Sequence, residues 1–162
     1  MISTELKTTI QGAYTRFLEA KSLKPRYGQR LMIAEVAKVL GDIDTDDEGR
    51  REGEPAVVAV EAGTGTGKTV AYSLAAIPTA KAAGKRLVIA TATVALQEQI
   101  VYKDLPDLMR NSGLNFTFAL AKGRGRYMCL SKLDVLLQEG HAQTATAQLF
   151  EEEGFKIEVD EA

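Results

Sequence analysis

Nine consecutive residues carry the clearest chemistry of this chain: Glu61-Ala62-Gly63-Thr64-Gly65-Thr66-Gly67-Lys68-Thr69. They follow the phosphate-loop pattern except at Ala62, which stands where that pattern has its first glycine. Alanine is small enough to be tolerated there. Glycines let the backbone turn sharply and aim its N–H groups at phosphate oxygens. A helix starting at the end of the loop adds a favourable partial charge. In this arrangement Lys68 reaches the β- and γ-phosphates and the Thr69 hydroxyl ligates Mg²⁺. Ala62, Gly63, Thr64, Gly65, Thr66, Gly67, Lys68 and Thr69 are therefore expected to hold a nucleoside triphosphate, ATP, with Lys68 and Thr69 also serving catalysis. The competing reading is a chance glycine-rich turn between a strand and a helix. The intact Gly67-Lys68-Thr69 and the apolar run just upstream argue against it.

The flanks narrow the class. Pro25-Arg26-Tyr27-Gly28-Gln29 stands about thirty residues before the loop. It resembles the adenine-reading Q-motif of superfamily 2 helicases. A glutamine suits that role because its amide pairs both a donor and an acceptor with the adenine edge. Gln29, helped by Arg26, is thus expected to hold adenine, against the alternative of an exposed helix-start residue. Downstream, Ala90-Thr91-Ala92-Thr93-Val94-Ala95-Leu96-Gln97-Glu98-Gln99 looks like helicase motif Ia, which touches the nucleic-acid backbone. Hydroxyls and helix-start N–H groups can contact phosphate without reading sequence. Thr91 and Thr93 can equally cap the following helix, and the two roles can coexist.

Lys122-Gly123-Arg124-Gly125-Arg126-Tyr127-Met128-Cys129 adds a third motif. Together the motifs resemble the N-terminal part of the bacterial DinG helicase family, in the XPD-like branch of superfamily 2. The likeness runs from about Tyr14 to about Leu133. It implies ATP-dependent 5′-to-3′ movement on single-stranded or forked DNA, with a second motor domain completing the ATP site. It also implies that Cys129 is the first of four thiolate ligands to a 4Fe–4S cluster. The chain has a single cysteine, so the other three ligands are expected outside it. Alternatively Cys129 is a free thiol. Lys122, Arg124 and Arg126 are either a DNA contact through backbone charge or a solvated basic loop.

These residues need elements to hold them. Leu6, Ile10, Tyr14, Phe17 and Leu18 recur at helical spacing over 5–20. A second helical pattern runs through Leu31, Ile33, Val36, Val39 and Leu40, with Gly41 as a stop. The acidic stretch 42–54 reads as a solvated loop. Residues 56–60, 87–90 and 115–120 are apolar runs of strand length. Between them lie helical patterns over 70–83, which Pro78 should kink or shorten, and 94–109. That order predicts an α/β fold, a RecA-like phosphate-loop parallel sheet flanked by helices. Further helices are expected over 131–138 and 142–152. Residues 1–120 then form a partial motor domain 1, and 121–162 a helical start of the iron–sulfur domain. Three strands are few for such a sheet, which points to a piece of a longer protein.

Of the 162 residues 45% are hydrophobic and 26% charged, with a net charge of −2. That balance suits a folded core and leaves nucleic-acid binding to local patches. No stretch approaches the roughly 18 apolar residues of a membrane span, and the N-terminus lacks a signal-peptide layout. With one cysteine, these features point to a cytoplasmic protein.

Hydrolysis also needs an acidic motif that holds Mg²⁺ and orients water. The ending Glu158-Val159-Asp160-Glu161 tempts that reading, but it alternates apolar with charged residues, unlike a buried parallel strand. His141 is assigned no role. Two other classes compete: a small phosphate-loop phosphotransferase, which would need a lid and a Walker B-type aspartate, and a truncated domain acting only as a binding partner. Alone, the chain is expected to bind nucleotide weakly without turning it over.

Overall fold

The computed structural model describes residues 2–138. The expected helix over 142–152, His141 and the acidic ending lie outside them. The chain divides into two compact units, Met1–Ala119 and Leu120–Ala162.

The first unit is built on helices. Helix α1 (Thr4–Ala20) opens with Ser3, whose side chain accepts a hydrogen bond from the Leu6 N–H and so satisfies one otherwise unpaired donor. Its buried face is Ile10, Ala13, Tyr14, Phe17 and Leu18. Helix α2 (Tyr27–Gly41) buries Met32, Ile33 and Ala37. Helix α3 (Lys68–Ala82) is the centre of the unit, packing on both α1 and α2. Leu74 is 0% exposed, and the flanking Ala71 and Ala75 let the neighbouring helices approach closely. Pro78 does not shorten α3, which runs on to Ala82. The Thr79 hydroxyl beside it donates to the Ala75 carbonyl at 2.7 Å.

The helical pattern predicted over 94–109 is present but not uniform. It divides into α4 (Val94–Gln99), a π-helical segment Ile100–Asp104, and α5 (Leu105–Ser112). Pro106 explains the break. Its ring would collide with the carbonyl four residues earlier in a regular helix, and the wider π turn makes room. Helix α5 ends at Gly113 with φ +72°, where Arg16 Nε donates to the Ser112 carbonyl at 2.9 Å. A second tie to α1 is the ion pair Lys21–Asp107 at 2.8 Å.

The parallel sheet is a correction. Among the described residues there is no strand or sheet, and the only bridge outside helices is the antiparallel pair Thr45–Arg51 in the acidic loop. Segments 56–60, 87–90 and 115–120 carry no backbone ladder, and Val57 and Val88 are 81% and 85% exposed. An apolar run states which side chains favour burial. A strand also requires a partner backbone about 4.8 Å away, and none of the three segments is paired with another. Helices close their hydrogen bonds internally, so they form without that condition. Ile89, Leu114 and Phe116 still pack against the helical core.

The second unit, as far as it is described, holds a 3-10 turn at Arg124–Arg126 and helix α6 (Leu130–Gln138).

Candidate functional site

The glycine-rich loop runs directly into α3. Gly65 and Gly67 have φ of +73° and +76°, values that cost an L side chain about 1–2 kcal/mol. Gly67 is the N-cap of α3 and supplies no side-chain acceptor. The first N–H groups of α3 have no intrahelical partner, so they remain available to an anion. Lys68 folds back over the loop, and its Nζ donates to the carbonyls of Ala62 at 2.7 Å and Gly63 at 2.9 Å. Thr66 Oγ1 donates to the Gly63 carbonyl at 2.9 Å, which tightens the turn around Thr64 and Gly65. Thr69 is half-buried in the first turn of α3.

Gln29 and Arg26 arrive at this loop from the start of α2. Arg26 Nη1 donates to the Gly65 carbonyl at 3.0 Å. The Gln29 amide lies against Gly67 so closely that a Cβ there would collide with Nε2. Arg26, Gln29, Gly65 and Gly67 share a cavity of about 310 Å³, also lined by Phe17, Leu18 and Val70. Behind it, Tyr14 of α1 donates its hydroxyl to Gln29 Oε1 at 3.2 Å and accepts from the Arg26 N–H at 3.3 Å.

The remaining expected residues sit elsewhere. Thr93 caps α4, accepting from the Leu96 N–H at 3.2 Å, and Thr91 Oγ1 donates to the Thr93 carbonyl at 3.2 Å. Those hydrogen bonds are local, as the capping alternative requires, and the Thr93 side chain is exposed. Lys122, Arg124, Arg126 and Cys129 belong to the second unit. There the Tyr127 hydroxyl accepts from the Lys122 N–H at 3.0 Å and the Tyr127 N–H donates to the Arg124 carbonyl at 3.2 Å. Arg124, Arg126 and Cys129 are exposed and Lys122 is half-buried.

Comparison with known proteins shows the family. The profile of the DEAD/DEAH box helicase family matches residues 49–149, a span that includes the phosphate loop and Thr91–Thr93. The chain belongs to the DEAD/DEAH box helicase family. It is similar to the ATP-dependent DNA helicase DinG of Photobacterium profundum, with 38% identity over 161 residues, 99% of this chain and 22% of that protein. It also resembles the ATP-dependent DNA helicase DinG of Escherichia coli, with 41% identity over 136 residues, 83% of the chain and 18% of the relative. The chain therefore spans about a fifth of the length of these relatives.

Within this DEAD/DEAH box helicase chain, a cluster is a different matter from a nucleotide. A 4Fe–4S cluster needs four ligands, as a rule thiolates, and the sequence has one cysteine. Among the described residues no three His, Cys, Asp or Glu side chains converge on a metal position. The residues present do not by themselves make a cluster site.

Tyr14 is the residue that sequence reasoning about this helicase chain missed. It reads as one more apolar position on α1, and in burial it is one, at 8% exposure. A buried tyrosine hydroxyl nevertheless needs a partner. That signal was present in the sequence, although the partner's identity was not.

Proposed function

We propose that this chain is the nucleotide-gripping part of an ATP-dependent DNA helicase. The observation that carries the reading is the meeting of Arg26 and Gln29 with Gly65 and Gly67 around one cavity, at the N-terminus of α3. A cavity beside a phosphate loop, large enough for a purine, is what an adenosine triphosphate requires. Gln29 offers both an acceptor and a donor to the base edge. Gly63 to Thr69 cradle the phosphates, and Lys68 exchanges its two loop carbonyls for phosphate oxygens, where ion pairing strengthens the hydrogen bonds. The Thr69 hydroxyl would hold Mg²⁺, whose chemistry when bound would be to offset phosphate charge.

The complete helicase couples this site to 5′-to-3′ movement on single-stranded or forked DNA. ATP closes the first motor domain, residues 1–120, on a second, and hydrolysis reopens them. Thr91 and Thr93 touch the DNA backbone through hydroxyls and the start of α4. Lys122, Arg124 and Arg126 supply backbone-directed charge at the start of an iron–sulfur domain, residues 121–162. Cys129 would contribute one thiolate to a 4Fe–4S cluster whose other ligands come from elsewhere in the complete helicase. The similarity to two proteins named ATP-dependent DNA helicase DinG supports the helicase reading. The test is DNA-stimulated ATP hydrolysis by the complete helicase. Lys68→Ala is expected to abolish it, and retained stimulated turnover in that variant would refute the loop assignment.

A further inference from the structure

We infer that Pro106 is a positioning residue: it holds the π turn at Ile100–Asp104, and through that turn it sets which way α4 faces. The consequence for DNA rests on the reading that Thr91 and Thr93 meet the nucleic-acid backbone. The turn itself does not depend on that reading.

The buried residues require the wider turn. Ile100, Leu105 and Leu108 are 4%, 7% and 0% exposed. Leu105 and Leu108 share a face of α5 at ordinary helical spacing. Ile100 precedes Leu105 by five residues, which in a regular α-helix sets the two roughly 140° apart. The extra residue of the π turn brings them to one side, and the Leu105 N–H donates to the Ile100 carbonyl, five residues back. In an unbroken α-helix Val101, four before Leu105, would take that place. Val101 is only half-buried here. The segment thus carries two adjacent apolar side chains for one position in the core, one for each register.

Pro106 decides between the registers. In the α register its ring would strike the Tyr102 carbonyl, four residues back. The Gln99 amide also spans the π turn, donating to Asp104 Oδ2 at 3.2 Å. Passing to the α register takes one residue out of the turn and rotates one flank against the other by roughly 100°. The flank that moves is α4. Helix α5 is fixed by buried Leu108, by Arg16 on the Ser112 carbonyl and by the Lys21–Asp107 ion pair, whereas α4 buries no residue. Thr93 turns with α4 because its hydroxyl accepts from the Leu96 N–H, and Thr91 is tied to the Thr93 carbonyl. Pro106 therefore sets the direction in which both hydroxyls are presented.

The first measurement is thiol labelling of the full chain, with Cys129→Ser in every protein so that one introduced thiol reports. With Pro106 present, Ile100→Cys should label slowly and Val101→Cys faster. Pro106→Ala should reverse that order, raising the rate at position 100 at least about tenfold and lowering it at position 101. General loosening would instead raise both rates. Deleting Val101 in the Pro106→Ala protein sets Ile100 four before Leu105 in a regular α-helix. That deletion should return the Ile100→Cys rate to within about twofold of its starting value. The second measurement is the affinity of the complete helicase for single-stranded DNA. Pro106→Ala should weaken it about threefold to tenfold, the scale of one or two hydrogen bonds, and the added deletion should restore it. An unchanged labelling order in Pro106→Ala, or a rise at both positions, would overturn the inference. A reversed order with unchanged DNA affinity would overturn the part that concerns DNA. Thr91→Ala combined with Thr93→Ala, Pro106 intact, separates the two levels: unchanged DNA affinity there would bring down the threonine contacts themselves, while the labelling order still decides the register.

Discussion

The Arg26 guanidinium donates to the carbonyl oxygen of Gly65 at 3.0 Å, joining the residue before α2 to the tip of the phosphate loop. The two residues are 39 apart in sequence. The bond holds the start of α2 and the glycine-rich loop in one frame on the cavity they share.

Arg26 is exposed, so its removal should cost little stability. Arg26→Ala is expected to change unfolding free energy by no more than about 0.5 kcal/mol. It should weaken ATP binding by roughly threefold to tenfold, the scale of a solvent-screened charge-assisted hydrogen bond. Arg26→Lys should recover only part of this, because an ammonium lacks the planar fork of the guanidinium. Urea unfolding and nucleotide titration measure the two effects separately.

Gly67→Ala joins two penalties at one position. The backbone there has φ +76°, and the added Cβ would strike Gln29 Nε2. The expected loss is about 1–2 kcal/mol from the backbone alone. Displacement of Gln29 should also weaken ATP by more than it weakens inorganic triphosphate. Denaturant unfolding and competition binding check the two parts.

Leu74→Ala addresses the scaffold in isolation. Leu74 is fully buried at the centre of α3, and truncation there should cost about 2–5 kcal/mol through lost burial and the cavity left behind. The midpoint in urea should fall accordingly. Any effect on nucleotide should follow the folded fraction.

Cys129→Ser, made in the complete helicase, should remove iron and the visible absorption of a cluster. Iron content held at about four atoms per chain would exclude Cys129 as a ligand. This outcome is independent of the nucleotide site.

Helix positions were the most legible part of the sequence. Ile10, Phe17 and Leu18 fall on the buried face of α1, and Ile33 on that of α2, because a period of 3.6 reports a single buried stripe directly. The loop and its link to Gln29 were also readable, since glycine spacing and the amide each carry a chemical reason. The apolar runs at 56–60, 87–90 and 115–120 misled, because burial preference does not specify a backbone partner. The division of the 94–109 helix follows from Pro106, a proline set inside an otherwise continuous helical pattern. Tyr14 was hidden for another reason: an aromatic at a core position looks the same whether or not its hydroxyl has work to do. Only its distances to Gln29 and Arg26 reveal the link.

The central claim is that this loop and its flanking residues hold ATP. Its most direct test is calorimetric titration of ATP with Mg²⁺ into the full chain, wild type beside Lys68→Ala. One-to-one binding by the wild type, weakened at least about tenfold in the variant, is the predicted result, corresponding to about 1.4 kcal/mol or more. Equal affinity in the two proteins, or no binding by the wild type at millimolar ATP, would contradict it.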